Sequence, residues 1–246
     1  QGVLAPNEAL YPWMDEGFAS YASALTMSAI YKASEAPLTG SYSGYYRLVK
    51  SGKEEPMSTH SDHYDTNGAY SSAAYSKGAV FMAQMGYIIG EEARDKGILS
   101  YWNTWGFKHP NVNDFIRIME KESGLELDWY KEYFVYTTKT IDYAVKKMTP
   151  QGDQTDITLE RIGLMPMPID LVITYKDGTS EMVYLPLEIM RGDKAAEAGA
   201  PTRVISEDWP WTNLTKTIRI NKKSDMVKSI EIDPSKRLAD IDQNNN

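Results

Sequence analysis

Apolar residues recur at helical spacing through the first half of the chain. One stripe predicts an amphipathic helix beginning near Glu16, and its members are Phe18, Tyr21, Ala22, Leu25 and Ala29. A second stripe predicts a helix ending at Gly90, and its members are Tyr75, Ala79, Met82 and Ile89. Three shorter helices are predicted over residues 91–105, 114–122 and 129–136, the last with Asp128 as its N-cap. This half of the chain is therefore predicted to be helical.

A polar segment over residues 34–67 separates the two long helical stripes. It is rich in Ser, Gly and Pro, and we interpret it as a loop. A loop of this length in a compact domain is usually functional or a surface excursion.

After Tyr136 the apolar period changes from helical spacing to two. Alternation at Ile169, Leu171 and Ile173 predicts a strand that leads into Asp177-Gly178, a hairpin turn signal. Further short strands are predicted around Tyr143, Tyr184, Ile218 and Ile230. Five or more short strands with frequent turns predict an immunoglobulin-like β-sandwich. Because Pro150 and Gly152 interrupt the pattern, we place a boundary there, which gives domains over residues 1–149 and 150–246 of an α+β multidomain protein.

Composition excludes several classes of partner and site. The chain has 246 residues, 42% hydrophobic residues and a net charge of −8, and it carries no cluster of Lys and Arg interleaved with aromatics. We therefore expect no nucleic-acid partner. No cysteine is present, so a metal would have to be held by His, Asp or Glu. The longest apolar stretch, residues 78–90, is too short to cross a bilayer.

The stretch PWMDEGFASYAS, residues 12–23, places Asp15 and Glu16 at the start of the first predicted helix. An acidic residue in a first helical turn meets unpaired N–H groups, so the stretch by itself favours Glu16 as a capping acid. A carboxylate is also a ligand that zinc accepts. The stretch alone leaves both interpretations open.

Two segments together resemble the M1 family of zinc aminopeptidases, the gluzincins related to leukotriene A4 hydrolase. They are WMDEGFASYA at residues 13–22 and YSKGAVFMAQMGYIIG at residues 75–90. The resemblance implies that Glu16 is the third zinc ligand and that the hydroxyl of Tyr75 stabilises the oxyanion of the reaction. It assigns Asp15 a supporting or capping role. It also implies a helical part of a thermolysin-like catalytic domain, followed by the β-sandwich, with peptides as substrates and Zn²⁺ as cofactor.

The HExxH motif of that family does not occur in these residues. The family spacing places the second zinc histidine upstream of Gln1, so we expect a C-terminal fragment that begins just after the HExxH helix. Such a fragment is expected to bind no zinc and to be inactive alone. Because the family packs these helices against that missing part, we also expect uncovered apolar residues at Phe18, Leu25, Met82 and Ile89, and self-association through that face.

Histidines offer no substitute for the missing motif. His60 and His63 lie with Asp62 and Asp65 in HSDHYD, within the polar segment, where no periodicity fixes ligand geometry. We therefore interpret them as loop histidines, and His109 before Pro110 as a turn residue.

Two alternatives to an aminopeptidase fragment remain open. The first is an extracytoplasmic binding module that uses Trp209, Trp211 and Tyr184 as a docking surface. The second is a noncatalytic member of the M1 family. An attached β-sandwich favours a periplasmic or extracellular location.

Overall fold

The computed structural model describes residues 2–32, 34–197 and 201–246. Its helices are α1 (Pro12–Tyr31), α2 (Thr39–Ser51), α3 (Asn67–Ser71), α4 (Gly78–Ile89), α5 (Glu91–Trp105), α6 (Val112–Ser123) and α7 (Asp128–Tyr136). A π-helical turn over Ser72–Lys77 joins α3 to α4 without a break. Short 3-10 helices occur at Ser61–His63, Glu188–Met190 and Ser224–Met226. The predicted helices are confirmed.

The helices bury an aromatic core centred on Phe81 of α4, which is fully buried. Its ring lies 4.9 Å from those of Trp13 and Tyr130 between centroids, and 5.8 Å from that of Phe134. Each such ring contributes a large apolar area, and edge-to-face or offset contacts add about 0.5–1.5 kcal/mol per pair. The core therefore fixes the first turn of α1 against α4.

Strands make up the second half of the described chain. They are β1 (Tyr143–Gln151), β2 (Gln154–Arg161), β3 (Ile169–Tyr175), β4 (Ser180–Leu185), β5 (Arg203–Ile205), β6 (Thr215–Ile220) and β7 (Val227–Ile232). They form a three-stranded sheet in the order β1-β2-β6 and a four-stranded sheet in the order β5-β4-β3-β7. The predicted hairpin at Asp177-Gly178 is confirmed, since β3 and β4 pair antiparallel across it. The combination of helices and sheets confirms the α+β class.

The chain divides into two compact units, Gln1–Thr138 and Lys139–Asn246. This division lies before the boundary placed near Pro150 and Gly152. Those two residues belong to a β-hairpin instead, because Pro150 pairs with Thr155 and Gln151 with Gln154 across the turn at Gly152. A helix-forming segment and a strand-forming segment thus meet at Lys139, and the turn residues lie inside the second unit.

The segment over residues 34–67 contains a helix that the loop interpretation missed. α2 occupies Thr39–Ser51, with Tyr45 and Leu48 buried at helical spacing. Gly44 lies on the same buried side, where a Cβ would overlap the hydroxyl of Ser76 in the π-helical turn. Gly44, one of the residues that indicated a loop, therefore serves close packing.

The apolar residues of both long helices were expected to be uncovered. This expectation is correct for α1 and wrong for α4. Leu25 of α1 is 37% exposed and Phe18 is half-buried. Met82 and Ile89 are buried, because α4 is surrounded by other helices and is apolar over nearly its whole circumference. Within the described residues, no helix has both the length and the apolarity to cross a membrane.

Candidate zinc-ligand and catalytic site

Glu16 is the fifth residue of α1, one turn beyond its N-terminus. Pro12 starts the helix in the first position, where its missing N–H leaves no partner unsatisfied. The N-cap residue is Tyr11, which makes no side-chain capping hydrogen bond. The buried ring of Trp13 anchors this turn in the aromatic core. Glu16 is half-buried at the surface of the first compact unit.

Tyr75 lies in the π-helical turn, and its side chain is oriented towards α1. Its Oη donates a hydrogen bond to Oε1 of Glu16 at 2.6 Å, across 59 residues of sequence. Helical turns of the π type are rare and occur often at functional sites. The structure therefore brings together the two residues that the sequence assigned to the reaction.

Two glycines allow the contact between α1 and the turn that carries Tyr75. A Cβ on Gly17 would lie 2.6 Å from Cα of Gly78, and a Cβ on Gly78 would lie 2.8 Å from Cα of Gly17. No side chain larger than hydrogen fits at either position while the backbones stay this close. The crossing adjoins Glu16 on one helix and lies three residues after Tyr75 on the other.

The tyrosine of this pair is held in its protonated form. The hydrogen bond to Glu16 raises the pKa of Tyr75 to about 12, with smaller contributions from burial and from the charge on Glu16. Both effects favour the neutral phenol. At neutral pH the pair therefore consists of a phenol donor and a carboxylate acceptor.

Tyr70 is a neighbour of the pair that sequence reasoning did not single out. Burial raises its pKa, and the negative charge on Glu16 adds to the rise, followed by those on Glu8 and Asp15. Its ring lies edge-on to that of Tyr64 at 5.5 Å. Tyr70 therefore belongs to the surroundings of Glu16, and only the fold reveals it, because no apolar stripe includes it.

An open groove runs beside Glu16 and Tyr75 along α1. Its other lining residues are Ala19, Ser20, Ser23, Ala24 and Met27. Four of these five side chains are small, so the carboxylate and the phenol are reached from the same open side. Asp15 is buried and lines a different, apolar groove together with Met14 and Phe18.

Histidines do not form a ligand cluster in the part of the chain that the structure describes. The rings of His60 and His63 lie 4.8 Å apart, and Nδ1 of His60 accepts a hydrogen bond from the backbone of Asp62. Nδ1 of His109 lies 2.8 Å from the carbonyl of Ala5. Among the described residues, one group of three acids comes close enough to share a metal, namely Glu120, Glu126 and Asp128. The carboxylates of Glu120 and Glu126 accept hydrogen bonds from the backbone N–H groups of Leu127 and Asp128.

The aromatic residues of the alternative docking surface are mostly buried. Trp209 is 1% exposed and Tyr184 is fully buried, whereas Trp211 is 38% exposed. A single half-exposed indole does not form the flat pair that such a surface requires. Of the alternatives left open, the binding module therefore loses its main support.

Comparisons with known proteins place this chain in a family. The sequence model of the Peptidase family M1 domain matches residues 11–134, which include Glu16 and Tyr75. Aminopeptidase N of Streptomyces lividans is 25% identical over 131 residues, 51% of this chain and 15% of its own length. Aminopeptidase M1-B of Oryza sativa subsp. japonica is 24% identical over 157 residues, 61% of this chain and 17% of its own length.

A solved structure has the same fold. The crystal structure of Legionella pneumophila aminopeptidase A in complex with aspartic acid superposes with a TM-score of 0.57 at 12% identity. The match covers 96% of this chain and 24% of that one. The chain thus spans less than a quarter of the length of each of these relatives. Because the family model matches just over half of the chain, the chain belongs to peptidase family M1.

Proposed function

We propose that this chain is part of a zinc-dependent aminopeptidase that removes N-terminal residues from peptides. The observation that carries the proposal is the 2.6 Å hydrogen bond from Tyr75 to Glu16, which joins a carboxylate to a protonated phenol at an open groove. The relatives named as aminopeptidases support peptides as the substrate class. The proposal applies to the whole protein, of which these residues supply one side of the site.

Glu16 fits one position of a zinc site. A carboxylate oxygen is an accepted zinc ligand, and catalytic zinc sites take three protein ligands and leave one position open. HExxH is absent from the sequence, so the proposal places two histidine ligands on a segment outside these residues. When bound, zinc supplies a Lewis acid that polarises the peptide carbonyl. The finer assignment of Glu16 as the third ligand rests on its position in the family segment.

Tyr75 is proposed to stabilise the negative charge that develops on the substrate oxygen. A neutral phenol donates a hydrogen bond to that oxygen without adding a charge of its own. A phenol titrates at about pH 10, so it is protonated throughout the neutral range. The small residues beside it leave room for a peptide to approach the hydroxyl. Glu16 and Tyr75 therefore have complementary roles, one as ligand and the other as donor.

Metal analysis tests the ligand assignment directly. With one protein ligand for zinc, the 246-residue chain is expected to keep no stoichiometric zinc after dialysis and to hydrolyse no aminoacyl substrate. In the full-length protein, Glu16→Gln is expected to lose zinc and activity together. Tight one-to-one zinc on the 246-residue chain would show that the ligands lie elsewhere. A full-length protein that binds no zinc would favour the noncatalytic family member instead.

A further inference from the structure

A buried charge lies directly behind Tyr75. Lys77 ends the π-helical turn, two residues after Tyr75, and its side chain is 1% exposed. Its Nζ lies 2.8 Å from Oε1 of Glu54, whose side chain is 7% exposed. Glu54 belongs to the segment that follows α2. The ion pair therefore joins the π-helical turn to the segment that follows α2.

Two further groups surround the ammonium of Lys77. Nζ donates a hydrogen bond to the carbonyl of Thr137 at 3.3 Å, and it lies 5.2 Å from the ring centroid of Phe134. Thr137 is the C-cap residue that follows α7, where the helix dipole is negative and favours a cation. The face of an aromatic ring favours a cation as well. Lys77 is therefore held from three sides.

Lys77 and Tyr75 lie on opposite sides of the π-helical turn. Side chains two residues apart on a helical turn point to nearly opposite sides. Lys77 is accordingly buried, whereas Tyr75 is 39% exposed and reaches Glu16. Rotation of the turn about its axis would move both side chains at once. Because Lys77 is held, Tyr75 is held with it.

Stability alone does not account for the two charges. A buried ion pair costs so much desolvation that replacing both members with apolar residues of similar volume is often neutral or stabilising. Burial lowers the pKa of Lys77, which is the sign of that cost, although the charge on Glu54 acts in the opposite direction. An apolar pair would satisfy packing, but it lacks the charge attraction to Glu54 and the hydrogen bond to Thr137.

We propose that the buried Lys77–Glu54 ion pair orients the π-helical turn so that the Tyr75 hydroxyl reaches Glu16. Lys77 and Glu54 are then positioning residues for the reaction proposed above, and the inference takes the importance of the Glu16–Tyr75 contact from that proposed function. The test follows the Glu16–Tyr75 contact itself, so it does not require activity.

The test removes both charges together and follows Tyr75. Lys77→Met/Glu54→Leu is prepared in the 246-residue chain with labelled tyrosine, and the ring Cζ resonance of Tyr75 is recorded at neutral pH. Tyr75→Phe assigns the resonance, and Glu16→Gln gives its position when the carboxylate acceptor is lost. We expect the double variant to keep its melting temperature while the resonance moves towards that of Glu16→Gln. Amide exchange over residues 72–77 should become about tenfold faster or more.

A second buried lysine supplies the matched control. Nζ of Lys194 lies 2.6 Å from Oδ2 of Asp170 on β3, and the two side chains are 2% and 10% exposed. Lys194→Met/Asp170→Leu removes a comparable buried pair that lies outside the π-helical turn. It is expected to leave the resonance of Tyr75 unchanged, whatever it does to the melting temperature.

The outcomes decide the proposal in every case. A folded Lys77→Met/Glu54→Leu chain with an unchanged Tyr75 resonance overturns it. If that variant does not fold, Lys77→Arg and Glu54→Asp, which keep the charges but alter the length of the pair, replace it. A shift of the Tyr75 resonance in these variants supports the proposal, and no shift in either overturns it. Failure of the zinc assignment would appear in metal analysis and leave these readouts unaffected.

Discussion

The contact between Tyr75 and Glu16 leads to a prediction about the reaction. Tyr75→Phe removes the hydroxyl and keeps the ring, so zinc binding in the full-length protein should persist while kcat falls by ~10²-fold or more, the usual scale for one oxyanion donor. Tyr31→Phe is the control, because Tyr31 is 71% exposed at the other end of α1 and should leave kcat unchanged. Steady-state kinetics with an aminoacyl substrate measure both. Unchanged kcat in Tyr75→Phe would remove this residue from the mechanism.

A second prediction concerns Asp240 in the C-terminal unit. Its carboxylate is 1% exposed and accepts hydrogen bonds from the backbone N–H groups of Tyr143 and Asp242 at 2.9 Å. Burial nevertheless raises the pKa of Asp240 from 3.8 to about 7. The folded state thus binds more protons than the unfolded state between about pH 4 and pH 7. The free energy of unfolding should fall as pH rises through this range, by roughly 1–3 kcal/mol.

Substitution isolates the contribution of Asp240. Asp240→Asn should flatten the dependence of unfolding free energy on pH between pH 4.5 and pH 8, as measured by urea denaturation. A residual slope of the same sign is expected from Asp233, whose pKa burial raises to about 6. Asp156→Asn is the control, because a hydrogen bond from Arg219 lowers the pKa of Asp156 and moves its titration below this range. Equal slopes in Asp240→Asn and the parent chain would contradict the prediction.

At the scale of elements, the crossing of α1 with the turn that carries Tyr75 depends on Gly78. Gly78→Ala places a Cβ 2.8 Å from the Cα of Gly17, and backbone cannot give way as a flexible side chain can. Overpacking of this kind costs about 1–3 kcal/mol, against a gain of roughly 0.5–1 kcal/mol in helix propensity. The net effect should be destabilising, and the helices should separate enough to weaken the bond from Tyr75 to Glu16.

Gly68→Ala is the matched control for this helix crossing. Gly68 lies in α3, and nothing stands within 4 Å of a Cβ placed on it. The same substitution is therefore expected to be neutral or stabilising by up to about 1 kcal/mol. Thermal unfolding of the two variants gives the comparison. A Gly78→Ala chain as stable as Gly68→Ala would show that the crossing tolerates a side chain.

Periodicity identified the elements whose one face is buried, which is why α1, α4 and β3 were predicted. α2 was not predicted because Gly44 was interpreted as a loop residue. Its close contact with Ser76 is visible only in the packed structure. β2 was not predicted because Pro150 and Gly152 were interpreted as a boundary between domains. The same residue types also occur in a turn between paired strands. Turn residues show that the chain changes direction, but they do not specify which segments pair afterwards.

The sequence identified some residues of the candidate site and not others, for the same reason. Glu16 and Tyr75 were identified from two local segments, because a family motif is a local pattern. Tyr70 and Glu54 were not, because each contributes through contacts that join parts of the chain far apart in sequence. Lys77 lies in the family segment, but neither its burial nor its contact with Glu54 could be inferred from the sequence. Residues that belong to a local family motif are therefore easier to infer from sequence than residues that contact them across the fold.

At the scale of the whole molecule, the exposed apolar surface of the helical unit predicts association. Large hydrophobic side chains with high exposure lie on α1, on α5 and just beyond it, namely Leu25, Met27, Ile30, Tyr31, Leu99, Trp102 and Phe107. Ile30 is 65% exposed and Phe107 is 83% exposed. A contiguous apolar patch of several hundred Å² has a strong tendency to be reburied, at roughly 25 cal/mol per Å².

We therefore expect the 246-residue chain to self-associate as its concentration rises and to bind a hydrophobic dye. The net charge of −8 opposes association, so the effect should strengthen with salt. Ile30→Glu should reduce both association and dye binding because it adds a charge to the exposed end of α1. Ser43→Glu, on an exposed polar position of α2, adds the same single negative charge elsewhere and should leave dye binding unchanged. Sedimentation across a concentration series decides the matter, since a clean monomer at high concentration without dye binding would show that this surface is stable in water.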